Sequence, residues 1–436
     1  MTTPPPPPPP PPSPPPPPSP AAPAPLPVQQ RDREPILDLL RGFALLGILL
    51  VNIELMRGPA LFDVLAGTLP APADDADRVT GFLVGWLASG KFVSSFAILF
   101  GVGAALLAEK AWRRGWSAHR LLARRYTLLA TFGLAHMVLL FPGDILLVYA
   151  LTGFALLPFL HLRTRTALWW SGGLVAALTA VATGAAVLAT AFGDLATGDG
   201  QDPVGGAVGG FFDERRQATI AAYTDGGLGE VLTARSFEAL VIQTGQLVSI
   251  PWLLALFLLG FATARAGVAT DPAGSRPLLR RVAVLGLGVG LPANLVLGVL
   301  GPVGTALGTT GEGTPAWIEL ASVPTQLVAA PLLAVGYLAT LALLALRFGT
   351  WRPLAAVGQM ALTAYLSQSL ITTVVFVGWS TYDTWTATSA LAVVAATWAL
   401  LLLLCPLWLR RFRFGPVEWL WRSWTYRGWQ PLRRTR

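Results

Sequence analysis

The apolar run ILDLLRGFALLGILLVNI, residues 36–53, contains a carboxylate, a guanidinium and an amide: Asp38, Arg41 and Asn52. At ~100° per residue, Arg41 and Asn52 fall within about 20° of one another and Asp38 and Asn52 within about 40°, so all three share one stripe of a helix. A charge near the centre of a spanning helix costs at least ~2.5–3.5 kcal/mol by insertion scales, so this stripe is expected to face other helices and not lipid. Two readings fit it: interhelical packing with Arg41 snorkelling to an interface, or one wall of a site. His136 stands in a second run, YTLLATFGLAHMVLLF, and Asp144 follows it across the turn Phe141-Pro142-Gly143-Asp144. A histidine beside a carboxylate has the makings of an oriented general base. Asn52, or Lys91 at a comparable depth, would then stabilise a developing oxyanion. The alternative is a buried histidine satisfied by a carbonyl, with Asp144 capping the next helix.

Further polar groups follow the same logic. Arg124 and Arg125, with Arg113, Arg114 and Arg120, form a dense basic cluster that suits phosphate groups or lipid headgroups. Gln359, Thr363 and Ser367 recur at helical spacing with Gln368 beside them, as do Gln243, Gln246 and Ser249; such stripes pack helices or line a hydrated cavity. The glycines of FGVG, Gly101 and Gly103, read as close-packing positions. No phosphate-binding P-loop, dinucleotide fingerprint or serine-hydrolase elbow is present. One cysteine, Cys405, and three scattered histidines (His119, His136, His161) give no metal-ligand spacing, and no bound cofactor is expected.

The elements that must hold these groups are membrane helices. The chain has 436 residues, 53% of them hydrophobic and 12% charged, against about 25% charged in soluble domains. Hydropathy predicts an all-α polytopic protein of about ten spans: 36–55, 79–108, 121–141, 144–162, 167–192, 239–266, 278–300, 318–346, 353–378 and 387–409. The second is expected to break at Gly90-Lys91. With both termini inside, the inner links, the tails and the helix ends next to them hold 24 of the 31 lysines and arginines, as the positive-inside rule requires. That rule accounts for the net charge of +8 without a nucleic-acid partner. Residues 1–35 are a Pro-rich cytoplasmic tail expected to be disordered, with no cleavable signal peptide. Residues 36–409 form the membrane domain, interrupted by an external segment of about 193–238. Residues 410–436, rich in Trp and Arg, are expected to lie at the cytoplasmic interface. The expected location is a bacterial cytoplasmic membrane, in contact with its lipids; oligomeric state is left open.

The blocks LDLLRGFALLGILLVNI, KFVSSFAILFGVG, RRYTLLATFGLAHMVLLFPGDILLVYALTG, VGQMALTAYLSQSLI and RFGPVEWLWRSWTYR together resemble the YeiB-like bacterial inner-membrane proteins, a domain-of-unknown-function family. The resemblance runs from about residue 36 to 428. The opening helix is also distantly similar to that of membrane acyltransferases that modify sugars, LDxLRxxAxxxVxxxH, in which a catalytic His lies fourteen residues after the Asp. Here Asp38 and Arg41 match and the fourteenth residue is Asn52, as in the heparan glucosaminide acetyltransferases. The His that those enzymes carry shortly after that Asn is missing here. The resemblance implies a transmembrane acyltransferase, and the split between cytoplasmic arginines and an outer His/Asp/Asn group suits one: an acyl-CoA donor at Arg41, Arg124 and Arg125, and a small-molecule, glycan or lipid acceptor near the outer leaflet. His136 and Asp144 would supply the base. A transporter or exporter of a small solute or lipid-linked compound is the alternative, its path lined by the polar stripes. A structural, partner-docking role is a third.

Overall fold

A computed structural model of the chain describes residues 34–66, 72–196, 203–300 and 316–434; the Pro-rich segment up to residue 33 lies outside them. These residues are helical, with one isolated antiparallel bridge between Phe412 and Arg433. In order, the helices are α1 (Pro35–Arg57), α2 (Ala60–Leu65), α3 (Asp75–Leu87), α4 (Lys91–Arg113), α5 (Ala118–Leu139), α6 (Leu146–Leu156), α7 (Thr164–Ala196), α8 (Pro203–Thr224) and α9 (Leu228–Val248). There follow α10 (Ile250–Arg265), α11 (Arg276–Ala293), α12 (residues 295–300), α13 (Ala316–Pro324), α14 (Ala330–Phe348), α15 (Arg352–Gln359), α16 (Ala361–Thr373), α17 (Ala387–Arg411) and α18 (Pro416–Thr425).

The fold is that of an all-α polytopic membrane protein. Six helices among the described residues are long and apolar enough to cross a membrane, or seven if the bent pair α9 and α10 makes one span. Three further segments expected to cross are helical without meeting that measure. In α5 the first turns carry Arg120, Arg124 and Arg125. The apolar stretch of α6 and its 3-10 turn covers only Leu146–Phe159, about 21 Å at 1.5 Å per residue. The third, α11, begins with Arg276, Arg280 and Arg281 and has Pro292 near its end.

Breaks shape the bundle as much as spans. The long second segment divides at Gly90, whose φ of 78° is left-handed and suits a residue without Cβ. The expected helix over 239–266 begins earlier, at Leu228, and bends by 58° at Ser249, just before Pro251, which has no N–H to continue the ladder. The external helix read after residue 210 starts at Pro203. The helix expected over 353–378 breaks at Met360 between α15 and α16.

At the centre lies α1, buried on nearly every face. It crosses α15 at Gly42 and Gly358: a Cβ on Gly358 would come within 1.8 Å of the Asp38 carbonyl oxygen. A second close crossing joins α4 to α10, where a Cβ on Gly101 would lie 2.0 Å from the Phe257 oxygen. Small residues at such crossings let backbones approach and gain dispersion contacts that lipid cannot match.

Candidate functional site

His136, at the end of α5, and Asp144, just before α6, stand eight positions apart across a tight turn, so they meet almost by covalent necessity. The imidazole Nδ1 lies 2.7 Å from Asp144 Oδ1, with the two side chains 1% and 0% exposed. Asp144 Oδ2 also accepts the Leu147 N–H at 2.9 Å, so the same carboxylate caps α6 and orients the ring. Gly133, one turn before His136, makes room: a Cβ there would sit 2.8 Å from Asp144 Oδ2. A carboxylate only accepts, so the shared proton belongs on Nδ1, leaving Nε2 as a base. Nε2 is buried without a hydrogen-bond partner among the described residues. On the other side of the turn, Gln243 donates from Nε2 to the Asp144 carbonyl at 2.8 Å. The polar stripe on α9 thus holds the turn that holds the dyad.

A cavity of about 630 Å³ runs into the bundle from the arginine-rich end, within the usual range for small-molecule sites. Its lip carries Lys110, Arg113 and Arg114; further in stand Arg41, Arg125 and Arg422. Its deeper walls are Leu45, Ile48, Phe96, Phe100, Leu129 and Tyr149, and it ends at Ile145, Leu146 and Tyr365. The Tyr365 ring packs 5.0 Å from the His136 ring, and its buried hydroxyl lies against the Ile145 backbone. The dyad therefore lies behind the cavity's end wall, about 16 Å along α5 from Arg125.

The sequence-derived candidates divide. Asp38 and Arg41 both line the cavity and pair at 3.2 Å. Gly103 faces them, with room for the Arg41 Nη2 at 3.5 Å from where a Cβ would be. Arg125 lines the cavity and Arg124 does not. Asn52 is absent from the cavity wall, which on α1 ends one turn earlier at Ile48. Lys91 is fully buried, and its Nζ donates to the Gly85 oxygen at 2.9 Å; it satisfies the end of α3 where the chain turns into α4. Gln368 bonds the Leu45 carbonyl at 3.4 Å and packs α16 on α1. Among the described residues, no cluster of three or more His, Cys, Asp or Glu could hold a metal ion.

Sequence reasoning missed the part played by the C-terminal segment. Within the segment expected to lie at the interface, α18 docks one face into the bundle, burying Glu418 and Trp421 and leaving Trp424 exposed. Glu418 accepts from the Leu362 and Thr363 backbone N–H groups at 2.6 and 2.9 Å and from the Thr363 hydroxyl. It supplies the cap that Met360 cannot, since the side chain of Met360 bonds nothing at the start of α16. Burial raises the Glu418 carboxyl above the usual carboxylate range, and the bonds from Thr363 and Leu362 pull against that rise. The Arg125 guanidinium lies 3.6 Å over the Trp421 ring, while Trp421 Nε1 donates to the Arg125 oxygen at 2.9 Å. The only sequence signal was the acid within GPVEWLWR.

Comparison with known proteins places these features in context. The model of a family described as "Protein of unknown function (DUF418)" matches residues 263–428, which include α16 and α18. The uncharacterized protein YxaH of Bacillus subtilis (strain 168) is 30% identical over 420 residues, covering 92% of this chain and 96% of that protein. The uncharacterized protein YeiB of Escherichia coli (strain K12) is 30% identical over 412 residues, covering 91% and 97%.

Proposed function

The chain belongs to the DUF418 family of YxaH- and YeiB-like proteins, and from that premise we propose that it is a transmembrane acyltransferase of a bacterial cytoplasmic membrane. In this reading ten helices cross with both termini inside, and an acyl-CoA-type donor enters the cavity from the cytoplasmic, arginine-rich face. The single observation that carries the reading is the cavity itself. It joins a cationic lip through apolar walls to Tyr365, which packs directly on the His136–Asp144 dyad. A phosphate-bearing head suits one end and an acyl chain the other.

The step is an ordinary acyl transfer. The acceptor hydroxyl or amine, approaching from the outer side, gives its proton to His136 Nε2 as its oxygen or nitrogen bonds to the acyl carbonyl carbon. The tetrahedral intermediate then breaks its carbon–sulfur bond, and the proton passes to the departing thiolate. Asp144 holds Nδ1–H and stabilises the imidazolium between the two transfers. Tyr365 must swing aside for the acyl group to reach Nε2. Asn52, one turn beyond the cavity wall, takes no part.

Purified protein with labelled acyl-CoA tests this. Expected is saturable binding, with transfer to envelope acceptors abolished in His136→Gln and Asp144→Asn while donor binding persists. Absence of acyl-CoA binding, together with unchanged envelope acylation in cells carrying His136→Gln, refutes the proposal. The transporter reading has one observation in its favour: the cavity reaches the surface at the lip of Lys110, Arg113 and Arg114 and ends inside the bundle at Tyr365. Proteoliposome flux of a solute that is lost in Asp38→Asn and Arg41→Ala would support it instead.

A further inference from the structure

Three guanidiniums from distant parts of the chain meet in the cavity: Arg41 of α1, Arg125 of α5 and Arg422 of α18. Each lies close enough to the other two to repel them. Like charges gathered in a partly buried cleft are costly unless something anionic sits among them. The carboxylates nearby do not fully serve. Asp38 holds Arg41 from one side. Glu418 spends both oxygens on the start of α16. Glu418 and Asp38 attract Arg422 through space, but neither Arg125 nor Arg422 forms an ion pair with a described carboxylate; each lies over an aromatic ring, Arg125 on Trp421 at 3.6 Å and Arg422 on Phe414 at 4.8 Å. Stacking fixes the plane of a guanidinium and leaves its N–H edge for a ligand.

The charge of the whole lining points the same way. Six basic and four acidic side chains line the cavity among the described residues, an excess of two positive charges. Further along α1 and α5 from Arg41 and Arg125 the lining is apolar, with Leu45, Ile48 and Leu129. We propose that Arg41, Arg125 and Arg422 form a binding site for a diphosphate group that carries an apolar or acyl-bearing tail, the docked α18 supplying the third cation. A diphosphate group brings at least two negative charges, enough to offset that excess, and enough oxygens for three forked donors. The inference rests on the reading of this cavity as the donor site and names what such a donor must carry. Coenzyme A thioesters and isoprenyl diphosphates share that chemistry.

Calorimetry on the full-length protein in detergent separates the cases, with three probes: coenzyme A without an acyl group, farnesyl diphosphate, and dephosphorylated farnesol. Expected is binding of at least one diphosphate and not of farnesol, weakened as salt rises. Arg422→Gln and Arg125→Gln should each raise Kd about 10- to 100-fold, the worth of one charge-assisted contact pair. Arg410→Gln, on the same charged face and outside the cavity, should leave it unchanged. Retention by Arg422→Lys of more affinity than Arg422→Gln, at equal thermal midpoints, distinguishes a ligand contact from a folding role. Equal binding of farnesol, or no change in Kd in a folded Arg422→Gln, overturns the site. Coenzyme A binding rather than farnesyl diphosphate binding assigns the source. If diphosphates bind as expected but no acyl group is ever transferred, the site stands and the acyltransferase reading falls. If transfer occurs with Kd unaffected in Arg422→Gln, the reverse holds.

Discussion

Removing the Glu418 carboxylate should loosen two helices at once, because the group is the cap of one and the anchor of the other. In Glu418→Ala the Leu362 and Thr363 amides and the Thr363 hydroxyl lose their acceptor. Loss of a helix cap costs about 0.5–2 kcal/mol, and a buried amide left unsatisfied about 1–3 kcal/mol. Against this stands the relief of a buried carboxylate's desolvation, visible as the raised Glu418 carboxyl. The net expectation is a destabilisation of about 2–4 kcal/mol. Glu418→Gln keeps an amide oxygen for the two N–H groups and should cost about 1 kcal/mol or less. Thermal unfolding in detergent, with tryptophan emission as the readout, follows both melting and release of α18, since Trp421 lies in the docked face. The pair should be coupled: Thr363→Ala should cost less in the Glu418→Ala background than in the parent. An unchanged thermal midpoint in Glu418→Ala, or strict additivity with Thr363→Ala, refutes the account of α18 as a cap on α16.

Three shorter predictions follow from the same contacts. Gly358→Ala places a Cβ within 1.8 Å of the Asp38 oxygen and 2.6 Å of the Gly42 nitrogen; it should cost about 1–3 kcal/mol or more by overpacking and weaken ligand binding at Arg41, and a neutral midpoint would show that α1 and α15 can part freely. Tyr365→Phe removes a buried hydroxyl that lies against the Ile145 backbone; it should cost about 1 kcal/mol or less in a melt, and a loss well above about 2 kcal/mol would show that the ring itself is displaced. Gln243→Leu removes the donor to the Asp144 carbonyl and should cost about 1 kcal/mol, with transfer activity falling further than donor affinity; equal falls in both would argue that α9 does not position the dyad.

The division between what was legible and what was not follows contact distance along the chain. The membrane class came from composition, since an apolar run must satisfy its backbone internally and can do so only as a helix. The His136–Asp144 pair was legible because a Pro-Gly turn of a few residues leaves the two side chains nowhere else to meet. The break at Gly90 was legible for the same local reason. Helical periodicity gathered Asp38, Arg41 and Asn52 on one stripe with Asn52 at its far end; Asp38 and Arg41 line the cavity and Asn52 does not. Along α1 the cavity's lining ends at Ile48.

Only the tertiary structure decided the rest. Arg124 and Arg125 are adjacent and chemically identical, and the choice between them is made by Trp421, nearly three hundred residues away. Glu418 meets α16 across 55 residues, a closure that leaves no periodic signal in the sequence. The third cation of the cavity arrives the same way. The sequence by itself therefore determined the membrane class, the nearness of His136 to Asp144 and the face of α1 that carries charge. Folding decided which arginines share a cavity and what stands between that cavity and the histidine, because those are contacts between helices whose order in space no local pattern encodes.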